Sequence, residues 1–119
     1  MADEEKRNFH IELKELMDGF VSDIYIITKK FPKEEIYGLT SQLRRAALSV
    51  ILNYIEGYAR RRKAVLKNFL EISYGSLKEC EYLIYFSKKQ NYVTDEEEKS
   101  LLEKSERIGR MLWGIITKI

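Results

Sequence analysis

The sequence predicts an all-α protein: a single domain over residues 1–119, folded as an up-down-up-down antiparallel four-helix bundle. Three observations lead there. Four segments carry apolar residues at alternating spacings of three and four, the period of an amphipathic helix. One proline and six glycines leave little material for turns, which favours a few long helices over many short strands. Nothing alternates apolar and polar for long; Ser22–Ile27 is too brief to outweigh the helical period. A chain of 119 residues buries roughly two-thirds of its unfolded surface, so it needs no metal or disulfide staple.

The first helix is expected over residues 4–30. Phe9, Leu13, Leu16, Phe20, Ile24, Ile27 and Phe31 form its stripe, widened by Met17, Val21 and Tyr25. Phe31-Pro32 ends it, because proline lacks the N–H and pushes the preceding residue out of the helical region. Residues 32–35 suit one short turn, and Gly38 breaks the chain again. The hydroxyl of Thr40 or Ser41 is the expected cap of the second helix, residues 41–59.

Apolar residues nearly encircle that second helix. Its polar residues, Gln42, Arg45, Ser49, Asn53, Glu56 and Arg60, fall on one narrow line. That line is the expected water-facing side. A helix this apolar in a bundle with no central helix points to burial by another subunit, since large apolar patches rarely stay exposed. Leu48, Ile51, Leu52 and Ile55 are the residues assigned to that contact. Gly57 is read as a point of close helix packing rather than a cap.

A third helix is expected over 64–89, with one seam through Leu66, Leu70, Ser73, Leu77, Cys80 and Ile84. Val65, Phe69, Ile72, Leu83 and Phe86 make a second seam, and Gly75 is a second candidate crossing point. Residues 90–93 form the last loop. Thr94 with Glu97 matches a capping box, and Leu101, Ser105, Ile108, Leu112, Ile115 and Ile119 trace the fourth helix.

Little in the composition supports catalysis. His10 is the only histidine and no glutamate lies three residues before it, so the paired Glu-x-x-His motif of metal-binding bundles is absent. Arg7 three residues before His10 is a poor match to a ribonuclease pair. No Walker-type glycine loop exists, and a Ser-His-acid triad finds no second support. Asn53 and Glu56 read either as a functional polar pair or as a hydrogen bond that fixes helix register. No catalytic residue, metal ligand or cofactor is therefore expected. Cys80 is alone, so it forms no intrachain disulfide and suits the core. The opening residues do not resemble a signal peptide and no apolar run spans a membrane; the expected location is cytoplasmic.

The net charge of +2 is nearly balanced, but its distribution is not. Between residues 44 and 67 stand Arg44, Arg45, Arg60, Arg61, Arg62, Lys63 and Lys67 against one acid, Glu56. These seven are the candidate nucleic-acid contacts; a solvated basic surface is the plainer alternative. The acidic run at 95–98 is explained by the dipole of the fourth helix.

Several stretches resemble one family. Phe31-Pro32, Glu35, Tyr37 and the block Gly-Leu-Thr-Ser-Gln-Leu-Arg-Arg-Ala-Ala at 38–47 are similar to the small bundles encoded within intervening sequences of bacterial 23S ribosomal RNA genes. Asn53, Glu56-Gly57, Arg60-Arg61, Phe69-Leu70, Ile72, Gly75-Ser76-Leu77, Glu79, Leu83, Tyr92, Ile108 and Arg110-Met111-Leu112 continue the likeness across nearly the whole chain. The resemblance implies a four-helix bundle assembled as a ring, typically a pentamer. It also implies kinship with accessory proteins of diversity-generating retroelements, which bind a reverse transcriptase and nucleic acid through basic surfaces. Where that family often has a proline and small residues in mid helix two, this chain has Ile51, Leu52, Tyr54 and Ile55. The expectation is thus a non-enzymatic, ring-forming homo-oligomer associated with RNA or a ribonucleoprotein. The alternative is a protein–protein adaptor that docks a partner enzyme such as a reverse transcriptase.

Overall fold

The computed structural model describes residues 2–119. Asp3, Glu4 and Glu5 fill the first turn of α1 (Asp3–Thr28), where the helix dipole favours negative charge. The helix stops two residues short of the expected end. The Lys30 and Phe31 N–H groups bond back to the Ile27 and Thr28 carbonyls at 3.1 Å, tightening the chain into a turn before Pro32. The Thr28 hydroxyl donates to the Ile24 carbonyl at 2.7 Å. The expected short turn is a 3₁₀ turn over Lys33–Glu35.

α2 spans Leu39–Tyr58, and its cap differs from expectation. No hydroxyl caps it. Thr40 is already helical and buried; Ser41 is helical and half-buried. The carboxylate of Glu35 takes that role instead. Its Oε1 accepts the Leu39 N–H at 3.1 Å, and its Oε2 accepts from the Tyr92 hydroxyl at 3.2 Å. A Cβ at Gly38 would stand 2.9 Å from Glu35 Oε1, so this position is glycine to admit the carboxylate.

α3 runs Lys63–Lys89. Asn91 follows at φ 64, the left-handed conformation that Asn tolerates, and the Tyr92 N–H reaches back to the Ser87 carbonyl at 2.9 Å. α4 (Asp95–Ile116) opens with the expected capping box. Thr94 Oγ1 accepts the Glu97 N–H at 3.1 Å, and Glu97 Oε1 accepts the Thr94 N–H at 2.9 Å. Lys30 also bonds Glu97, and this bond is the leading cause that holds its carboxyl below the ordinary range.

The helices pack as neighbours around a square. α2 and α3 are most intimate, α1 and α4 least, and the diagonal pairs do not meet among the described residues. The rod measures 46 × 24 × 19 Å, close to the ~39 Å that 26 helical residues span. Leu13, Met17, Phe20 and Ile24 meet Leu43, Ala47, Val50, Leu70, Leu77, Ile84, Ile108 and Leu112 in one core. Met17 sits at the centre of the α1 stripe, and Leu16 is the flanking residue.

Gly57 is a close crossing, as expected. A Cβ there would lie 3.0 Å from Phe69 Cβ and 3.1 Å from Leu66 Cδ1. Gly75 is not: it is exposed, with nothing within 4 Å of an added Cβ. The close approach of α3 and α4 falls on Gly109, against Leu77.

The polar line of α2 is exposed as expected at Gln42, Arg45, Glu56 and Arg60, but its middle borders α3. Ser49 and Ser76 share a hydrogen bond of 2.7 Å, Asn53 donates to the Ser49 carbonyl and hydroxyl at 2.8 Å, and Arg60 covers the Phe69 ring. That line is not the only outward face, because Leu52 is 57% exposed and Ile55 46%. Two more hydroxyls tie α3 to its neighbours. Ser73 donates to the Val50 carbonyl and Ser105 to Glu81, each at 2.6 Å. α1 and the turn that follows it are held to α4 by three charge pairs at the surface, Lys104–Asp23 and Arg107–Glu12 from the helix and Lys30–Glu97 from the turn.

Candidate nucleic-acid interface

The alternating helix directions send the loop between α2 and α3 to the same end as the start of α1 and the finish of α4. Arg61, Arg62 and Lys63 are exposed there, and Lys67 is half-buried on the first turns of α3. Arg60 pairs with Glu56 four residues back and lies 5.4 Å over the Phe69 ring. Among the described residues, Arg61, Arg62, Lys63 and Lys67 have no ion-pair partner, so their charge is available to a polyanion.

Arg44 and Arg45 belong to the opposite half of α2. Arg44 is half-buried: its Nε donates to Thr28 Oγ1 at 2.8 Å and its guanidinium stacks 4.6 Å above Tyr25. Arg45 is exposed. The structure therefore separates these two arginines from the other five. Glu56 and Asn53 do not pair with each other; they bond Arg60 and Ser49 respectively. Of the residues assigned to a subunit contact, Leu52 and Ile55 face outward, Leu48 is half-buried, and Ile51 packs against the core.

Three cations missed in the sequence join the basic end: Lys6 from α1, and Arg110 and Lys118 from α4 and its exit. The latter two are 104 or more positions from Lys6 in the chain, and only the helix directions bring them together. Next to them His10 Nδ1 shares a hydrogen bond with the Tyr54 hydroxyl, and the Tyr58 ring stands 4.8 Å from the imidazole. Burial lowers the His10 pKa and raises those of both tyrosines, Tyr54 most. At neutral pH the cluster is thus uncharged. Burial likewise pushes the Cys80 thiol up to about 12, so it is an inert core group. No group of three or more potential metal ligands occurs among the described residues. No helix there is long and apolar enough to cross a membrane.

Fold and surface together define a four-helix bundle with a basic end and an outward apolar stripe. The chain belongs to the 23S rRNA-intervening sequence protein family, whose model matches residues 10–114. It is similar to a crystal structure of a protein of unknown function from the S23 ribosomal protein family of Bacteroides thetaiotaomicron. That likeness has 24% identity and a TM-score of 0.81, and covers 87% of this chain and 97% of that one. A search of curated proteins finds no match. Neither the family nor that neighbour indicates a catalytic class.

Proposed function

We propose that this protein is a non-enzymatic, cytoplasmic bundle that forms a ring, a pentamer by family likeness, and associates with RNA or a ribonucleoprotein through its basic end. The observation that carries this is the run of unpaired cations Arg61, Arg62, Lys63 and Lys67, with Lys6, Arg110 and Lys118 at the same end across the bundle. In a ring the same cluster repeats about the axis, and its field adds. The outward Leu52 and Ile55 supply the apolar surface that ring closure would bury.

The test is RNA binding across a salt series with light-scattering mass measured in parallel. Replacing Arg61, Arg62 and Lys63 with Gln should reduce the slope of log affinity against log salt by about 0.7–0.9 for each phosphate no longer neutralised. Absence of RNA binding at low salt overturns the RNA reading. Monomeric mass at micromolar concentration overturns the ring. The adaptor reading draws on Ile72, 44% exposed on α3, which extends the apolar surface beyond Leu52 and Ile55. A stoichiometric protein partner that survives nuclease treatment would favour it.

A further inference from the structure

Where α1 and α4 pack least closely, a cleft of about 610 Å³ opens between them. That volume falls within the range of small-molecule sites, roughly 300–1,000 Å³. Phe9, Met111, Ile115 and Ile119 give it apolar walls, and Gly114 leaves one side open. Lys6, His10, Arg110 and Lys118 are its only ionisable lining side chains, and no carboxylate side chain lines it among the described residues. The two other clefts each include at least one glutamate.

We propose that this cleft binds a free aliphatic carboxylate of medium chain length. The helices run antiparallel, and the Arg107–Glu12 pair sets their register at this end. That register sets Lys6 level with Trp113, between Arg110 and Lys118, and both lysines line the outer part of the cleft. Neither lysine has an ion-pair partner among the described residues. Arg110, at the inner end, is already bonded to Glu106 at 2.8 Å. The carboxylate therefore belongs between Lys6 and Lys118, with the chain running inward over Ile115 to Met111. Six residues of helix and two of the closing turn separate Arg110 from Lys118, about 12 Å at roughly 1.5–2 Å each, the length of roughly a ten-carbon chain.

A nucleotide suits the site less well. The walls are largely aliphatic, and the one imidazole is already bonded to Tyr54. Its lining side chains offer cationic donors but no free acceptor, so they cannot match the donor–acceptor pattern of a base edge.

The experiment titrates the full-length protein with decanoate below its micelle concentration, followed by calorimetry and methyl NMR, without RNA. Decanol serves as the uncharged counterpart. The expected result is one saturable site per chain, with shifts at Met111 and Ile115, and tighter binding of decanoate than of decanol. Lys6→Gln with Lys118→Gln should weaken decanoate roughly fivefold and leave decanol unchanged, a size in keeping with two exposed charge contacts. Gly114→Leu should abolish both, and it has room: nothing lies within 4 Å of an added Cβ. Equal affinity for decanoate and decanol, or unchanged decanoate binding by either variant, overturns the proposal. So does displacement of decanoate by adenosine monophosphate, or capture of the protein by anionic phospholipid vesicles through this cleft. Because RNA is absent throughout, failure here leaves the RNA reading intact, and the reverse holds too.

Discussion

Alanine at Gly57 and alanine at Gly75 are chemically the same change in two helices, yet they should differ in stability. Both remove glycine from a helix, which favours the folded state by up to about 1 kcal/mol. That term largely cancels when the two variants are compared. What remains is the crossing. At Gly75 the new methyl meets open space. At Gly57 it stands 3.0 Å from Phe69 Cβ and 3.4 Å from the Leu66 carbonyl oxygen. Neither atom is the loose end of a side chain, so α2 and α3 must separate. Overpacking of this kind costs about 1–3 kcal/mol. At roughly 4 °C per kcal/mol for a chain of this size, the melting midpoints should lie about 4–12 °C apart, Gly57→Ala lower. Circular dichroism melts and urea titrations test this, at one protein concentration because the midpoint of an associating protein depends on concentration. A Gly57→Ala variant as stable as Gly75→Ala would refute the close crossing.

Thr94→Ala should cost about 1 kcal/mol by removing the acceptor for the Glu97 N–H, read as a lower urea midpoint with an unchanged slope. Glu97 has a depressed carboxyl pKa, so its contribution is present above the ordinary value of 4.5 and is lost as pH falls through the lower folded value. Glu97→Gln should flatten that part of the stability–pH curve. His10 behaves alike in sign. Its folded pKa lies below 6.5, so the unfolded chain takes up the proton first, and stability declines as pH falls from 6.5 through the folded value. Comparing wild type with His10→Gln between pH 8 and 5 isolates this; parallel curves would contradict the burial of the imidazole.

The helices were legible because their apolar period is long and uninterrupted, and Pro32 and the Thr94–Glu97 box mark two of the ends. The cap of α2 was not, because a side chain from the preceding turn supplies it. A helical wheel offers no sign that Glu35 folds back past Gly38. The polar line of α2 was legible at its exposed ends, but the burial of its middle was not. Ser49 and Asn53 satisfy each other and Ser76 along α3, so they need no water, and the apolar Leu52 and Ile55 are left outside. The cluster at Arg60–Lys63 is contiguous and was read directly. Its companions Lys6, Arg110 and Lys118 sit at distant points of the chain, and only the topology unites them.

The unequal fastening of the four helices bears on how the bundle comes apart. α3 is joined to α2 and α4 by hydroxyl bonds that are wholly or partly shielded from water, so salt has little hold on them. α1 and the turn that follows it are joined to α4 by surface charge pairs, and at 1 M ionic strength the screening length shrinks to about 3 Å. The α2–α3 hairpin is therefore expected to exchange most slowly, and α1 to be the helix whose attachment responds most to salt. High salt would loosen α1 before the rest, widening the very cleft that separates it from α4.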